Sequence, residues 1–374
     1  MNKVKVGVVG VGTMGKGHVR TLNEIETCVV SAVCDIDEVK IKALRDEKLI
    51  DEKVKSFSDY RKLISSGLCD CVAIVTPHPA HLEIALAAFK AGLHVMCDKP
   101  ITCSAMDADR MIGAWEKTSV KFSTMYSMRA NPCNKLIKEW IESGRLGTIR
   151  RVEMTCTAWL RTQKYYNEQS WRGTWKGEGG GLLMNQAPHN LDLLYYWFGP
   201  AKSIWASLAG RYHDIETEDE VFAKIVSEKG FPIIFSANTG EFPGKDYVEI
   251  VGTKGTLVKN DGKLLFRELA EPIDKTIKES EKAFATPEYK EQPVEFESSK
   301  TSGHKSIFMN LFDSILKGLD NDSLIAPGDD GIHSVEWANA MLLSKFSGEE
   351  IKLPVKRKTY NELMKKLIEQ KIKL

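Results

Sequence analysis

The sequence predicts an α/β protein of two domains, the first of them a doubly wound parallel sheet. Three observations predict it. Apolar, strand-like runs alternate with helical patterns through residues 1–125. A glycine-rich turn joins the first run to the first helix. The chain has 374 residues, more than one ordinary core organises. The expected division is 1–125 and 126–374.

The elements follow in order. Val4-Lys5-Val6-Gly7-Val8-Val9 reads as a buried parallel strand. Gly10-Val11-Gly12-Thr13-Met14-Gly15 follows, then a helical pattern through Leu22. This is G-x-G-x-x-G in the context it needs, and Gly10, Gly12 and Gly15 allow close approach to a pyrophosphate at a helix N-terminus, with Thr13 and Met14 beside it. A second strand, Val29–Cys34, ends at Asp35, 20 residues past Gly15. A carboxylate there suits the 2′-hydroxyl of an adenosine ribose and repels a 2′-phosphate, so NAD is expected in preference to NADP. Further strands, Asp70–Val75 and Leu93–Cys97, flank a helix near Leu82–Ala91. Ligands of such sheets bind beyond the carboxyl ends of the strands. Thr76, Pro77 and His81 stand at one of those ends, and Asp98 and Lys99 at the other, so all five are candidate cofactor positions. His78-x-x-His81 lacks a third ligand nearby, and no metal is expected.

In the second domain, Gly179-Gly180-Gly181 runs into an apolar helical pattern carrying one polar stripe, Asn185, His189 and Asp192, at i, i+4 and i+7. An imidazole between an amide and a carboxylate has the composition of a proton-transfer site. Asp192 is expected to be structural. Strands are expected at 149–155, 202–211, 219–228, 231–240 and 246–250, with a hairpin-like turn at 252–257. Residues 271–300 are polar and aperiodic and read as a surface excursion. Helices are expected at 303–318 and 329–345, and a basic amphipathic one from Lys356.

Composition narrows the partners. Hydrophobic residues are 43% and charged residues 28%, with 52 basic against 51 acidic side chains and a net charge of +1. That balance favours neither nucleic acid nor an anionic membrane as partner. No apolar run approaches the roughly 20 residues that span a bilayer, and no signal pattern precedes the first strand, so a cytoplasmic protein is expected. All eight cysteines lie between Cys28 and Cys156 and are expected to be reduced and mostly buried.

Four segments carry a resemblance: GVVGVGTMG at 7–15, VTPHPAHLEIALAAFKAGLHVMCDKP at 75–100, Trp171-Arg172, and GGGLLMNQAPHNLDLL at 179–194. In order and spacing the chain resembles the glucose–fructose oxidoreductase / inositol dehydrogenase family, Gfo/Idh/MocA. The resemblance implies an N-terminal Rossmann domain and a C-terminal α/β domain. The latter has a large, open, mostly antiparallel sheet whose exposed face mediates homo-oligomerisation. The family's E-K-P motif puts a lysine beside the nicotinamide and the reacting hydroxyl, with a cis Lys–Pro bond. Here it reads Asp98-Lys99-Pro100, so Lys99 is the implied catalytic lysine. The family's D-x-x-x-H reads Asn185-x-x-x-His189, and an amide orients a hydroxyl where a carboxylate would share proton transfer. Trp171 and Arg172 match positions that touch the cofactor, and Arg129 stands where the chain crosses between domains, to contact substrate or cofactor.

The activity implied is NAD-dependent oxidation of a secondary hydroxyl of a sugar, glycoside (C3 of a glucoside among the positions) or cyclitol. His189 would be the base, Lys99 the electrostatic partner and Asn185 the orienting group; Lys99, Arg129, Asn185 and His189 would meet the substrate. Trp159, Tyr165, Tyr166, Trp171 and Trp175 form a candidate sugar platform. Alternatives are inositol dehydrogenase, a redox glycosidase that recycles NAD, and a non-catalytic NAD-sensing regulator.

Overall fold

The computed structural model describes residues 3–301 and 303–374. The chain forms two compact units. The first holds the residues up to Ala130, Gly177–Gly179 and Lys300–Val335; the second holds Asn131–Lys176, Gly180–Ser299 and Glu336–Leu374. The contiguous division expected at 125/126 is therefore corrected: the segment 300–335 returns to the first unit. Its helix, Gly303–Lys317, buries Ile307, Phe308, Leu311 and Phe312 in the same core as Val6, Val8 and Val30. Side chains that far along the chain find that core by apolar match, which local periodicity does not reveal.

The first unit contains a six-stranded sheet of β1 (Val4–Val9), β2 (Cys28–Cys34), β3 (Lys55–Phe57), β4 (Cys71–Ile74), β5 (His94–Cys97) and β6 (Phe122–Thr124), ordered β3-β2-β1-β4-β5-β6. Every pairing is parallel. One face buries Val6, Val8 and Val33; the other buries Val9, Val72, Ile74 and Val95 against Leu82, Ala85 and Phe89 of helix His81–Lys90. Apolar burial on both faces is why these strands read as continuous hydrophobic runs. The order reverses between β1 and β4, so their carboxyl ends open on the switch point where ligands of such sheets bind.

The second unit contains a nine-stranded sheet. Its strands are β7 (Ile149–Cys156), β8 (Ala201–Ala209), β9 (Glu220–Ser227), β10 (Pro232–Asn238), β11 (Asp246–Gly252), β12 (Gly255–Asn260), β13 (Lys263–Leu269), β14 (Tyr289–Val294) and β15 (Ile351–Lys352). Their order is β14-β13-β12-β11-β7-β10-β9-β8-β15. All neighbours are antiparallel except β7 and β10. Val152, Met154, Ile225, Ile233, Phe235 and Ile250 point to the buried face. The sequence reading missed β13 and β15, and it treated β14 as part of an excursion. Five of the six residues of β14 are exposed, so it carries no period-2 apolar signal. Helix Ile273–Glu279, in the same excursion, buries none of its residues.

Among the described residues no helix is long and apolar enough to cross a membrane, and no cluster of three or more His, Cys, Asp or Glu side chains is arranged to hold a metal. All eight cysteines are free thiols, and seven are buried.

Candidate active site

In the first unit the glycine turn is built as its spacing implies. Gly10 has φ +90°, and a Cβ there would sit 2.5 Å from the Val75 carbonyl oxygen. A Cβ on Gly15 would lie 1.9 Å from the Gly10 oxygen. At Gly12 a Cβ would meet nothing within 4 Å. The turn is thus packed on its inner side and open where an anion approaches. Gly12 is the N-cap of helix Thr13–Asn23, and no side chain caps that end, so its free N–H groups and partial positive charge face the opening. Thr13 and Met14 are exposed.

Asp35 closes the other side. Its Oδ2 accepts the Val11 N–H at 2.8 Å and its Oδ1 the Asp37 N–H at 3.0 Å, which aims the carboxylate across the end of β2 toward the turn. Lys40 Nζ lies 3.5 Å from it. Beyond β4, Thr76 Oγ1 is buried with no hydrogen-bond partner among the described residues. An open cradle, an uncapped helix end, an aimed carboxylate and an orphaned hydroxyl together fit a dinucleotide. The exposed Pro77 starts the turn His78–Ala80.

His81 faces inward. It is fully buried, its Nδ1 2.9 Å from the Pro100 oxygen and its Nε2 2.8 Å from the Thr76 oxygen. The ring lies between the loops after β4 and β5, and burial lowers its pKa, so one of its two nitrogens carries the N–H that donates. Beside it, His78 Nδ1 donates to the Glu178 oxygen at 3.1 Å, and burial pushes its pKa down to about 3, so it is neutral.

Asp98, Lys99 and Pro100 follow β5, and the Lys99–Pro100 bond is cis. The Lys99 N–H donates to Asp98 Oδ1 at 2.8 Å. Burial raises the Asp98 carboxyl, but His18, Lys99 and His81 more than offset it, and the net shift is downward. The sequence reading missed His18 and His304. Their rings meet edge to face at 5.3 Å, and both sense the Asp98 charge. Burial draws both histidines down in pKa. The signal for His18 lay in the sequence, since it sits three residues past Gly15 on the buried face of the first helix.

Arg129 is likewise buried. It is 2% exposed, and its Nη1 is held by Asp330 at 2.6 Å. Asp330 lies in the same unit, so this pair ties two segments of that unit together.

In the second unit the single helix expected after the glycines is two. Leu182–Asn185 is one short turn, and Pro188–Phe198 begins afresh. Pro188 has no N–H to continue the ladder, so the chain breaks there. Gly181 packs against the segment just before β9: a Cβ would lie 2.1 Å from the Glu218 oxygen. The Glu218 carboxylate accepts the N–H groups of Gly181 at 3.0 Å and Leu183 at 2.9 Å. Burial raises its pKa from 4.5 to about 7. Across the break the polar stripe survives. From Gly180 to Leu194 every residue is buried except Asn185 and His189. Asp192 is buried, and Asn190 anchors the second helix to β7 through Cys156 Sγ at 2.8 Å.

The aromatic set divides. Trp175 is core, its Nε1 donating to the Ile372 oxygen at 2.7 Å, and Tyr166 is buried with its hydroxyl 3.3 Å from Thr239 Oγ1. Trp159, Tyr165 and Trp171 remain half-buried, as does Arg172.

Two family models match this chain. Residues 4–126 match the oxidoreductase family with an NAD-binding Rossmann fold, and residues 135–258 match the GFO/IDH/MocA C-terminal domain. The chain is 26% identical over 292 residues to levoglucosan dehydrogenase of Pseudarthrobacter phenanthrenivorans (70% of this chain, 74% of the relative). It is 24% identical over 262 residues to myo-inositol 2-dehydrogenase of Thermotoga maritima (68% and 74%). The crystal structure of the WlbA dehydrogenase from Bordetella pertussis, with NADH and UDP-GlcNAcA, superposes with a TM-score of 0.78 at 25% identity, covering 95% of this chain and all of that one. The N-terminal unit is an NAD-binding Rossmann domain, the protein is an NAD(P)-dependent oxidoreductase of CH–OH groups, and the chain belongs to the Gfo/Idh/MocA family.

Proposed function

We propose that this enzyme oxidises a secondary hydroxyl of a sugar, glycoside or cyclitol. The observation that carries the reading is the isolation of Asn185 and His189 as the two residues of 180–194 that are not buried. A buried, apolar segment that exposes one imidazole and one amide presents a proton acceptor and a hydroxyl-orienting group. Relatives acting on levoglucosan and on myo-inositol support the substrate class.

NAD, when bound, would supply the acceptor for the hydride of the carbinol carbon. Gly12, the uncapped N–H groups of Thr13 and Met14, and Asp35 would hold it. His189 takes the hydroxyl proton, and Asn185 fixes the hydroxyl without competing for that proton. Lys99 stabilises the developing alkoxide by its charge. The amide at 185 favours a glycoside, with C3 of a glucoside the first position to examine, over inositol. Homo-oligomerisation is assigned to the open sheet face, where Trp205, Phe222 and Ile234 on β8, β9 and β10 stay 43%, 51% and 45% exposed.

The test is NADH formation by the purified protein with a panel of sugars, glycosides and cyclitols, and NADH consumption with keto-sugars. His189→Ala should abolish turnover while leaving NAD affinity intact. No turnover of any panel member in either direction overturns the reading.

A further inference from the structure

Among the described residues, a pair of arginines in the second unit has no ion-pair partner. Arg161 and Arg172 both stack on the Tyr165 ring, their guanidinium carbons 5.1 Å and 3.9 Å from its centroid. Arg172 also lies over Trp171, at 5.3 Å. Among the described residues neither guanidinium forms an ion pair, and the Nε atom of each is buried without a hydrogen-bond partner. Two like charges on one ring repel, and aromatic faces offset that only modestly. An anion held by both would relieve the repulsion and take the buried N–H groups, each planar guanidinium offering two at once.

The place is built rather than incidental. The Arg161 N–H donates to the Thr239 oxygen at 2.9 Å. Its carbonyl accepts from His213 Nε2 at 3.0 Å, and His213 Nδ1 is held in turn by Asp219 at 2.9 Å. The backbone under Arg161 is thus pinned on both sides. Arg161 Nη1 is spent on the carbonyls of Trp159 and Leu160, which directs the side chain and leaves Nε for a ligand. The cluster adjoins the segment assigned to chemistry: the Gln186 side-chain amide donates to the Tyr165 hydroxyl at 3.5 Å, and Gln186 directly follows Asn185.

We propose that Arg161 and Arg172 bind an anionic group carried by the substrate, a carboxylate or phosphate on the sugar. The proposal rests on the reading of Asn185 and His189 given above. It makes the preferred substrate an acidic or phosphorylated sugar rather than a neutral one. The competing source of such an anion is the cofactor's own pyrophosphate, and Arg161 separates the two.

The test compares wild type, Arg161→Gln and Arg161→Lys at saturating NAD, using a methyl glucoside, the matching glucuronide and glucose 6-phosphate. A charged sugar should exceed the neutral one in kcat/KM. Arg161→Gln should raise its KM about 30-fold or more without changing the Kd of NAD, and Arg161→Lys should recover part of the loss. In the wild type alone, the KM for the charged sugar should rise with ionic strength while that for the neutral one does not. Equal use of neutral and charged sugars overturns the proposal. So does a matching loss of NAD affinity in Arg161→Gln, which would assign the anion to the cofactor. If no panel member is oxidised, titration calorimetry with glucuronate and glucose 6-phosphate in the presence of NAD still decides. Binding that Arg161→Gln abolishes upholds the anion site while the catalytic reading fails, and no binding overturns the site.

Discussion

Glu218 holds Gly181: the carboxylate accepts the Gly181 N–H at 3.0 Å, and the Glu218 carbonyl oxygen occupies the space a side chain at 181 would need. One acidic residue just before β9 thereby anchors the turn that leads to Asn185 and His189.

That anchor gives stability a distinctive pH dependence. The Glu218 pKa is raised from 4.5 to about 7, so between those values the folded chain keeps a proton that the unfolded chain has lost. Stability from this group therefore falls as pH rises from 4.5 to 7 and is level above, by about 3 kcal/mol in all. His78, pushed down to about 3, slopes the other way across part of that range, being stabilising above pH 6.5 and losing that stability as pH falls. The difference between wild type and Glu218→Gln isolates the carboxyl. Denaturant melts should show the Gln variant gaining on wild type from pH 4.5 to 7, and a constant difference would refute the assignment.

Asp35 should govern cofactor choice. Asp35→Ser removes the charge proposed to meet the ribose and leaves Lys40, 3.5 Å from that carboxylate, with the more distant Asp37 carboxylate at 3.9 Å, better placed to meet a 2′-phosphate. The KM for NAD should rise about tenfold or more, with NADP use improving relative to NAD. Unchanged preference in steady-state rates with both cofactors would sink the idea.

His81→Leu should cost about 1–3 kcal/mol in urea unfolding, because whichever of the Thr76 and Pro100 carbonyls accepts the ring's one N–H loses its buried donor. A variant of normal stability that binds NAD weakly would instead restore His81 as a cofactor contact.

Arg129→Met should lower stability by about 1–3 kcal/mol by removing its charged hydrogen bond to Asp330, with KM values for NAD and substrate altered less than about twofold. A large rise in either KM at unchanged Tm would return Arg129 to the ligand.

What the sequence determined by itself was local. The glycine turn, the apolar runs of β1, β2, β4 and β5, Asp35 at its fixed distance, and the spacing of Asn185 and His189 are all set by backbone periodicity over a few residues, and each stands where that periodicity puts it. The break at Pro188 was equally local and could have been read from the missing N–H. Only the tertiary structure decided the rest. It turned His81 inward onto two carbonyls, paired Arg129 with Asp330, set Glu218 under Gly181, and returned residues 300–335 to the first unit. Each of these joins residues whose contact depends on which buried polar group finds which partner. A polar atom removed from water must be satisfied by whatever the packing brings near, and spacing along a chain carries no record of that choice.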